Sequence, residues 1–336
     1  MSRIAKLFLG KIDPNDMKFL PRILRSGFAC CLALLTTLAH AEEVRPPAGN
    51  QELRYWLENM IWHHRFSTQE IEQATGLSPE EIHSAQKRLG ITLETMPETF
   101  SPGAIRMMPY PGGRHPRIGF LEGAVLPQRE TKVSVFTPWG NGFDYVVVDV
   151  PEALWSNLGL TYLAHTHVET LWTKEGIPLP KMEWNRHEDG SLSLDRTLPN
   201  QIRYQAKIRL VDDHLAMELQ LTNGTKDNLT DLRVQNCIML KGAPEFASLT
   251  NDNKLLQAPF AAVRSETHPK RWIITAWEPC HRPWGNARVP CLHSDPRFPD
   301  CAPGETQTVR GWLSFYEGNK VEEEFERIRT VFFDHF

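Results

Sequence analysis

The stretch from Ile202 to Leu221, IRYQAKIRLVDDHLAMELQL, decides the fold class of this chain. Ile202, Tyr204, Ala206, Ile208 and Leu210 alternate with Arg203, Gln205, Lys207 and Arg209. Successive side chains on a strand point to opposite faces, so the pattern is a strand with one wet and one buried face. After Asp212-Asp213-His214 the alternation resumes with Leu215, Met217, Leu219 and Leu221. The two runs make a hairpin whose buried faces match, because a one-residue slip would turn the apolar set outward.

Outward from this hairpin the same texture recurs. VSVFTPW from Val133, FDYVVVDVP from Phe143, LTYLAHTHV from Leu160, LRVQNCIML from Leu232, RWIITAWEP from Arg271 and VRGWLSFYEG from Val309 are rich in β-branched and aromatic residues. Glycine, proline and asparagine turns separate them. Many short strands without alternating helices indicate a mainly β chain, an antiparallel β-sandwich over 118–336, with a helix returning only from Val321 to Phe333.

The segment 96–117 holds Pro97, Pro102, Pro109, Pro111, Pro116 and Gly112-Gly113, the composition of a linker. Before it, 42–95 reads as a small helical module. Leu53, Trp56, Leu57, Met60 and Ile61 recur at helical spacing. Ser67-Thr-Gln-Glu70 has the form of a capping box, Gly76 stops that helix, and Ser78-Pro79-Glu80-Glu81 starts the next. Ile71, Ala74, Gly76, Leu77 and Ile82 have helix-turn-helix spacing, but the second helix starts acidic and carries mixed charge. With a net charge of −4 and no long basic run, no nucleic-acid partner is expected, and DNA binding through these helices is the weakest of three functional readings.

Residues 1–41 read as a leader and signal peptide, with Met17 as an alternative start. Lys18, Arg22 and Arg25 precede an apolar run from Gly27 to Leu38, and Ala39-His40-Ala41 has the small-x-small form cut by signal peptidase. The apolar run is about a dozen residues, short of the ~20 that span a bilayer. Cleavage after Ala41 makes the mature protein periplasmic or secreted, with no membrane span. It would keep Cys237, Cys280, Cys291 and Cys301, so disulfides are expected, some within Cys280 to Cys301.

Two stretches carry the candidate chemistry. The first is WEPCHRPWGNARVPCLHSDPRFPDC, Trp277 to Cys301, whose five prolines predict an ordered loop that is neither helix nor interior strand. Trp284, Asn286, Arg288, His293 and Asp295 in it suit a polar ligand such as a carbohydrate: an aromatic platform, an amide, a cation and a carboxylate. The alternative is an internally satisfied loop. Cys280-His281 and Cys291-Leu292-His293 also offer thiolate and imidazole for zinc, at a spacing that matches no paired CxxC pattern. Asn236, Asn251 and Asn253 are weaker candidates for the same rim. Asn223-Gly-Thr225 and Asn228-Leu-Thr230 have the sequon form but read first as turns.

The second stretch is His165-Thr-His167-Val-Glu169. If it lies on a strand, His165, His167 and Glu169 share one face and could act as acid and base or hold a divalent metal. The alternative is a pair of hydrogen-bonded histidines at a rim. No P-loop, GxGxxG after a strand or GxSxG is present, so no nucleotide cofactor or serine-hydrolase mechanism is expected.

From Arg117 to Gly318 the pattern resembles the galactose mutarotase-like β-sandwich superfamily. The resemblance rests on the strand-turn-strand that ends in LTNGT, Leu221 to Thr225, and on PGETQTVRGWLSFYEG, Pro303 to Gly318, which is similar to the closing strand of sugar-binding sandwiches. It implies a histidine that protonates the sugar ring oxygen and a carboxylate that removes the anomeric proton. Here those would be His165 or His167 with Asp295, Glu305 or Glu183. No stretch matches the family's catalytic histidine or late glutamate, so no role transfers residue by residue. The leading reading is an exported carbohydrate-active protein using acid/base chemistry on a sugar or uronic acid; the runner-up is a non-catalytic carbohydrate-binding or cell-envelope interaction protein.

Overall fold

The computed structural model describes residues 44–97, 103–117, 129–165 and 168–333. The expected export signal and His167 lie outside the described residues.

Two antiparallel sheets form a β-sandwich, as the alternation predicts. One sheet contains β1 (Arg106–Pro109), β2 (Lys132–Phe136), β3 (Tyr145–Ser156), β4 (Gly159–Leu163), β9 (Val234–Met239), β13 (Cys280–Asn286) and β14 (Cys291–Pro296). Its order is β1-β2-β3-β9-β14-β13, with β4 paired to β3. The other contains β5 (Asn185–Arg186), β6 (Leu192–Thr197), β7 (Ile202–Val211), β8 (His214–Asn223), β10 (Lys254–Gln257), β11 (Phe260–Arg264), β12 (Arg271–Glu278) and β15 (Thr306–Glu317), in the order β10-β11-β12-β15-β8-β7-β6-β5.

The deciding hairpin is β7–β8, in register from Ile202 opposite Asn223 to Val211 opposite His214. Asp212 in its two-residue turn has φ +50°, a left-handed conformation that aspartate tolerates. The apolar faces of both sheets meet in the main core, with Val133, Val146 and Val148 from one side and Tyr204, Leu219, Ile273 and Leu313 from the other.

Each sheet has a second, outward face that is also covered. On the eight-stranded sheet the cover is α5 (Val321–Ile328), whose Val321, Phe325 and Ile328 pack on Phe260, Ile274 and Trp312. On the seven-stranded sheet it is the helical module, α1 (Gly49–Glu58), α2 (Thr68–Thr75) and α3 (Pro79–Leu89). Trp56, Leu57, Met60, Ile71 and Ile82 pack there against Phe136, Tyr145, Val147 and Met239. The predicted capping box of Ser67 with Glu70 forms, a second forms between Ser78 and Glu81, and Gly76 ends α2 at φ +73°. Between β4 and β5 lies the short α4 (Leu171–Glu175).

Two expectations are corrected. The linker 96–117 contains a strand, β1, paired with β2 from Arg106 opposite Phe136 to Pro109 opposite Val133. The proline-rich stretch is a hairpin, β13–β14, and β14 is an interior strand between β9 and β13. Its prolines are placed where no ladder donor is lost: Pro283 is on the edge strand β13, and Pro290 and Pro296 bound β14.

Candidate functional site

Register places a row of chemical side chains across the outward face of the seven-stranded sheet. Lys132 on β2 is opposite Asp149 on β3, and Asp149 is opposite Cys237 on β9. The β9–β14 pairing of Cys291 with Met239 and Leu292 with Ile238 brings His293 next to Cys237 at the following step, and His293 is opposite Trp284 on β13. Alternation explains the shared face. Val146, Val148, Ile238 and Leu292 go to the main core, so Asp149, Cys237 and His293 point the other way.

At one end of this row His165, just past β4, is fully buried with Nε2 3.3 Å from Asp149 Oδ2 and 3.8 Å from Glu152 Oε1. Lys132 Nζ lies 3.0 Å from Asp149 Oδ1, and Thr131 donates to the same oxygen at 3.1 Å. Arg117 pairs with Glu152, whose other oxygen accepts from Gln235 at 2.9 Å. The environments push these groups apart. Burial raises the Asp149 carboxyl, against the pull of Lys132 and Arg117. Burial also opposes ionisation of Glu152, but the Arg117 guanidinium outweighs it and holds Glu152 below its ordinary value. Burial, with Lys132 and Arg117 beside it, takes His165 far below the usual imidazole range, so it is neutral. A carboxyl made harder to ionise, an ionised carboxylate and a neutral imidazole within one cluster are the ingredients of acid/base chemistry.

At the other end Asp295 is buried and saturated. It accepts from Trp284 Nε1 at 2.6 Å, from Arg282 Nε at 3.2 Å and from the Asn236 backbone at 3.2 Å. Trp284 stacks on His293 at 3.8 Å between centroids, and the Arg282 guanidinium is 5.1 Å from the indole centroid. Trp284 is therefore engaged by its neighbours, unlike the bare aromatic platform expected.

The other predicted residues divide. Asn236 is buried on β9, and its side-chain amide has no partner among the described residues. Asn286 accepts from the backbone of Arg288 and Val289 and so organises the β13–β14 turn, which leaves Arg288 exposed. Asn251 donates to the Gly285 carbonyl at 3.3 Å, and Asn253 serves its own turn through Ser248 and the Arg264 carbonyl. Glu183 is exposed and pairs with Arg129 at 2.6 Å and Arg45 at 3.2 Å, away from the histidine row. Glu305 accepts from the Ala302 backbone in the turn before β15. Asn223 is a buried turn residue whose amide donates to the Asp227 and Cys301 carbonyls, which removes it as an acceptor for glycan.

The strand that would have aligned His165, His167 and Glu169 ends at Leu163, and Glu169 is exposed ahead of α4. None of the four cysteines is in a disulfide. Cys280 and Cys291 sit near opposite ends of the β13–β14 ladder, opposite Pro296 and Asn286 respectively, too far along it for a bridge. Cys301 hydrogen-bonds the Glu305 carbonyl. Sequence reasoning missed Asp149, Glu152, Lys132 and Arg117. The signal available was Asp149 itself, a charge inside the apolar run YVVVDV.

No protein-family model matches the chain, and no curated protein matches it in sequence. Among solved structures it is similar to a candidate aldose 1-epimerase from Escherichia coli K12, at 12% identity over 56% of this chain and 96% of that one, TM-score 0.34. It is similar to a protein from Synechocystis sp. PCC 6803 at 11% identity over 57% and 91%, TM-score 0.32. A polysaccharide lyase matches at 12% identity and TM-score 0.28, with 40% of this chain spanning 23% of its length. These are weak likenesses; the sandwich itself rests on the strand pairing above. No helix among the described residues is long and apolar enough to cross a membrane.

Proposed function

We propose that this is an exported carbohydrate-active protein whose outward sheet face binds a sugar or uronic acid and performs acid/base chemistry on it. The observation that carries the reading is the cluster in which His165 lies 3.3 Å from Asp149 and 3.8 Å from Glu152. Neutral His165 serves as base, and the Asp149 carboxyl, whose ionisation burial opposes, is the proton donor facing it. Arg117 and Lys132 supply the positive charge that a uronate carboxylate would seek. The open edge of the face is β13, where Arg282 is exposed and Trp284 half-buried, so a ligand would enter there.

The test is a panel of monosaccharides and uronic acids, followed by calorimetry for binding and NMR for turnover, on the wild type, His165→Asn and Glu152→Gln. The expected result is a ligand whose turnover falls at least about 100-fold in His165→Asn, the scale of general acid/base catalysis. Binding without turnover in the wild type moves the conclusion to a carbohydrate-binding protein. Turnover unchanged in both variants, with folding intact by circular dichroism, overturns the site.

A further inference from the structure

Midway along the same face, Cys237, Cys291 and His293 bring two sulfurs and an imidazole nitrogen within 4.8 Å of one another, all three residues buried. We infer that this trio is a binding site for one thiophilic d10 cation, Zn2+ or Cu+. The inference does not depend on the sugar reading, because none of its ligands is His165, Asp149 or Glu152.

Three features of the chain favour a metal over a chance meeting of polar side chains. First, all three ligands stand on adjacent interior strands. Cys291 and His293 are two apart on β14 and share a face, and Cys237 is the cross-strand neighbour on β9, so the donors are held by the ladder and need no loop to be ordered. Second, His293 is buried beside Asp295 and the Cys237 sulfur, with neither ring nitrogen in a hydrogen bond of ordinary length. A metal bond would give one of these nitrogens a full-strength partner. Nδ1 lies 3.6 Å from Asp295 Oδ1, the position of the carboxylate that orients a ligating imidazole, which leaves Nε2 for the ion. Asp295 is in turn fixed by Trp284 and Arg282.

Third, the donor set is chemically selective. Two thiolates and one imidazole suit Zn2+ and Cu+ and discriminate against the oxygen-seeking Mg2+ and Ca2+. The buried guanidinium of Arg117 lies close enough to both sulfurs to act on them electrostatically, and its charge offsets the cost of holding two thiolates away from water. In the metal-free protein the Cys291 thiol donates to the Val289 carbonyl at 2.8 Å. Binding breaks that bond and displaces the protons that the ligands carry, so uptake of the ion is accompanied by proton release. Three protein ligands leave a fourth position for water or an incoming group on Zn2+, or complete a trigonal shell for Cu+. The zinc ligands suggested by Cys280-His281 play no part, since Cys280 turns to Ser294 and His281 is exposed.

The test uses the full mature chain, reduced and stripped with chelator, titrated with Co2+ as an optical probe and then with Zn2+ and Cu+. The expected result is one Co2+ per chain with a thiolate charge-transfer band, displacement by Zn2+ or Cu+, and proton release on Zn2+ binding. Cys237→Ser, Cys291→Ser and His293→Gln should each weaken binding at least about 10-fold, while Cys280→Ser and Cys301→Ser leave it unchanged. Circular dichroism checks that each variant is folded. If Cys237→Ser fails to fold, selective protection of Cys237 and Cys291 from alkylation by the bound ion in the wild type decides the matter. Absence of a charge-transfer band, equal alkylation of all four cysteines with and without metal, or unchanged binding in folded Cys291→Ser overturns the site.

Discussion

The two sheets of this sandwich have the same inner faces and different outer ones. Outside the eight-stranded sheet, Val321, Phe325 and Ile328 of α5 cover an apolar patch of Phe260, Ile274 and Trp312, with His214 stacked on Trp312 at 3.5 Å beside it. Outside the seven-stranded sheet the helical module packs on Phe136, Tyr145, Val147 and Met239, in a cluster that reaches Cys237 and Cys291. One step further along the same strands the face turns to Lys132, Asp149, Cys237 and His293, equally buried. Burial of apolar groups stabilises a fold directly, whereas burial of charge costs free energy unless each ion is paired. The second outer face thus carries groups that a purely structural surface would not keep.

The largest effects should separate the two faces. Phe325 is buried and stacks on Phe260 at 4.5 Å, so Phe325→Ala should cost about 4 kcal/mol with no change at the histidine row. Glu152→Ala should cost about 3 kcal/mol because it strands the buried Arg117 guanidinium. The contrast lies in the double variant. Arg117→Met with Glu152→Leu removes both charges, and stability should return to that of the wild type or exceed it while ligand turnover is lost. Urea unfolding of the three variants measures this. A double variant as unstable as Glu152→Ala would mean that the pair is held for stability, and the contrast between the faces would fall.

The same difference explains how much could be read in advance. The apolar faces were legible because alternation at Ile202 to Leu221, or the helical stripe from Leu53 to Ile61, encodes burial in each residue's own chemistry. The polar face was legible only in fragments. His165, His293 and Asp295 stand out as isolated residues, but their meeting depends on the register of β3, β9 and β14, which are far apart in sequence. The prolines of Trp277 to Cys301 misled for a related reason. A proline forbids an interior ladder position only where its missing N–H would be needed, and that is decided by which strand lies beside it. Cys237 offered no signal alone. Its significance comes from Asp149 on one side and His293 on the other.

Acid should then distinguish the helix-covered half from the rest. His64, at the junction of module and sheet, is fully buried between the Asn59 carbonyl at 3.0 Å and Ser134 Oγ at 2.7 Å. Burial lowers its pKa to about 3, against the backbone bond that works the other way. The folded value lies below the unfolded one of about 6.5, so its contribution is complete above pH 6.5 and is lost as pH falls toward 3. At pH 5 the loss should be about 2 kcal/mol, since each pH unit in that window changes the balance by about 1.4 kcal/mol. Hydrogen exchange at pH 7 and pH 5 should show α1 to α3 opening before α5. His64→Gln should flatten the dependence, and an unchanged slope in that variant would assign the acid response elsewhere.

The smallest effect concerns the two capping boxes, which look alike in sequence and differ in what they hold. Ser67 Oγ accepts from the Glu70 backbone at 3.3 Å, and Ser78 Oγ from that of Glu81 at 3.2 Å. Each serine-to-alanine change should therefore cost about 1 kcal/mol. The glutamates are not equivalent. Glu81 returns to Ser78, accepting from its backbone at 2.7 Å, and is fully exposed. Glu70 also accepts from Arg114 Nη2 at 2.9 Å, and Arg114 lies over the Phe66 ring at 4.2 Å and donates to Tyr145 at 3.1 Å on the sheet. Glu70→Ala should accordingly loosen the module from the sheet as well as fray α2, whereas Glu81→Ala should fray α3 alone. Hydrogen exchange resolves the two outcomes. Protection lost at β1 and Tyr145 in Glu70→Ala but kept in Glu81→Ala is the expected pattern, and equal losses would reduce both boxes to local caps.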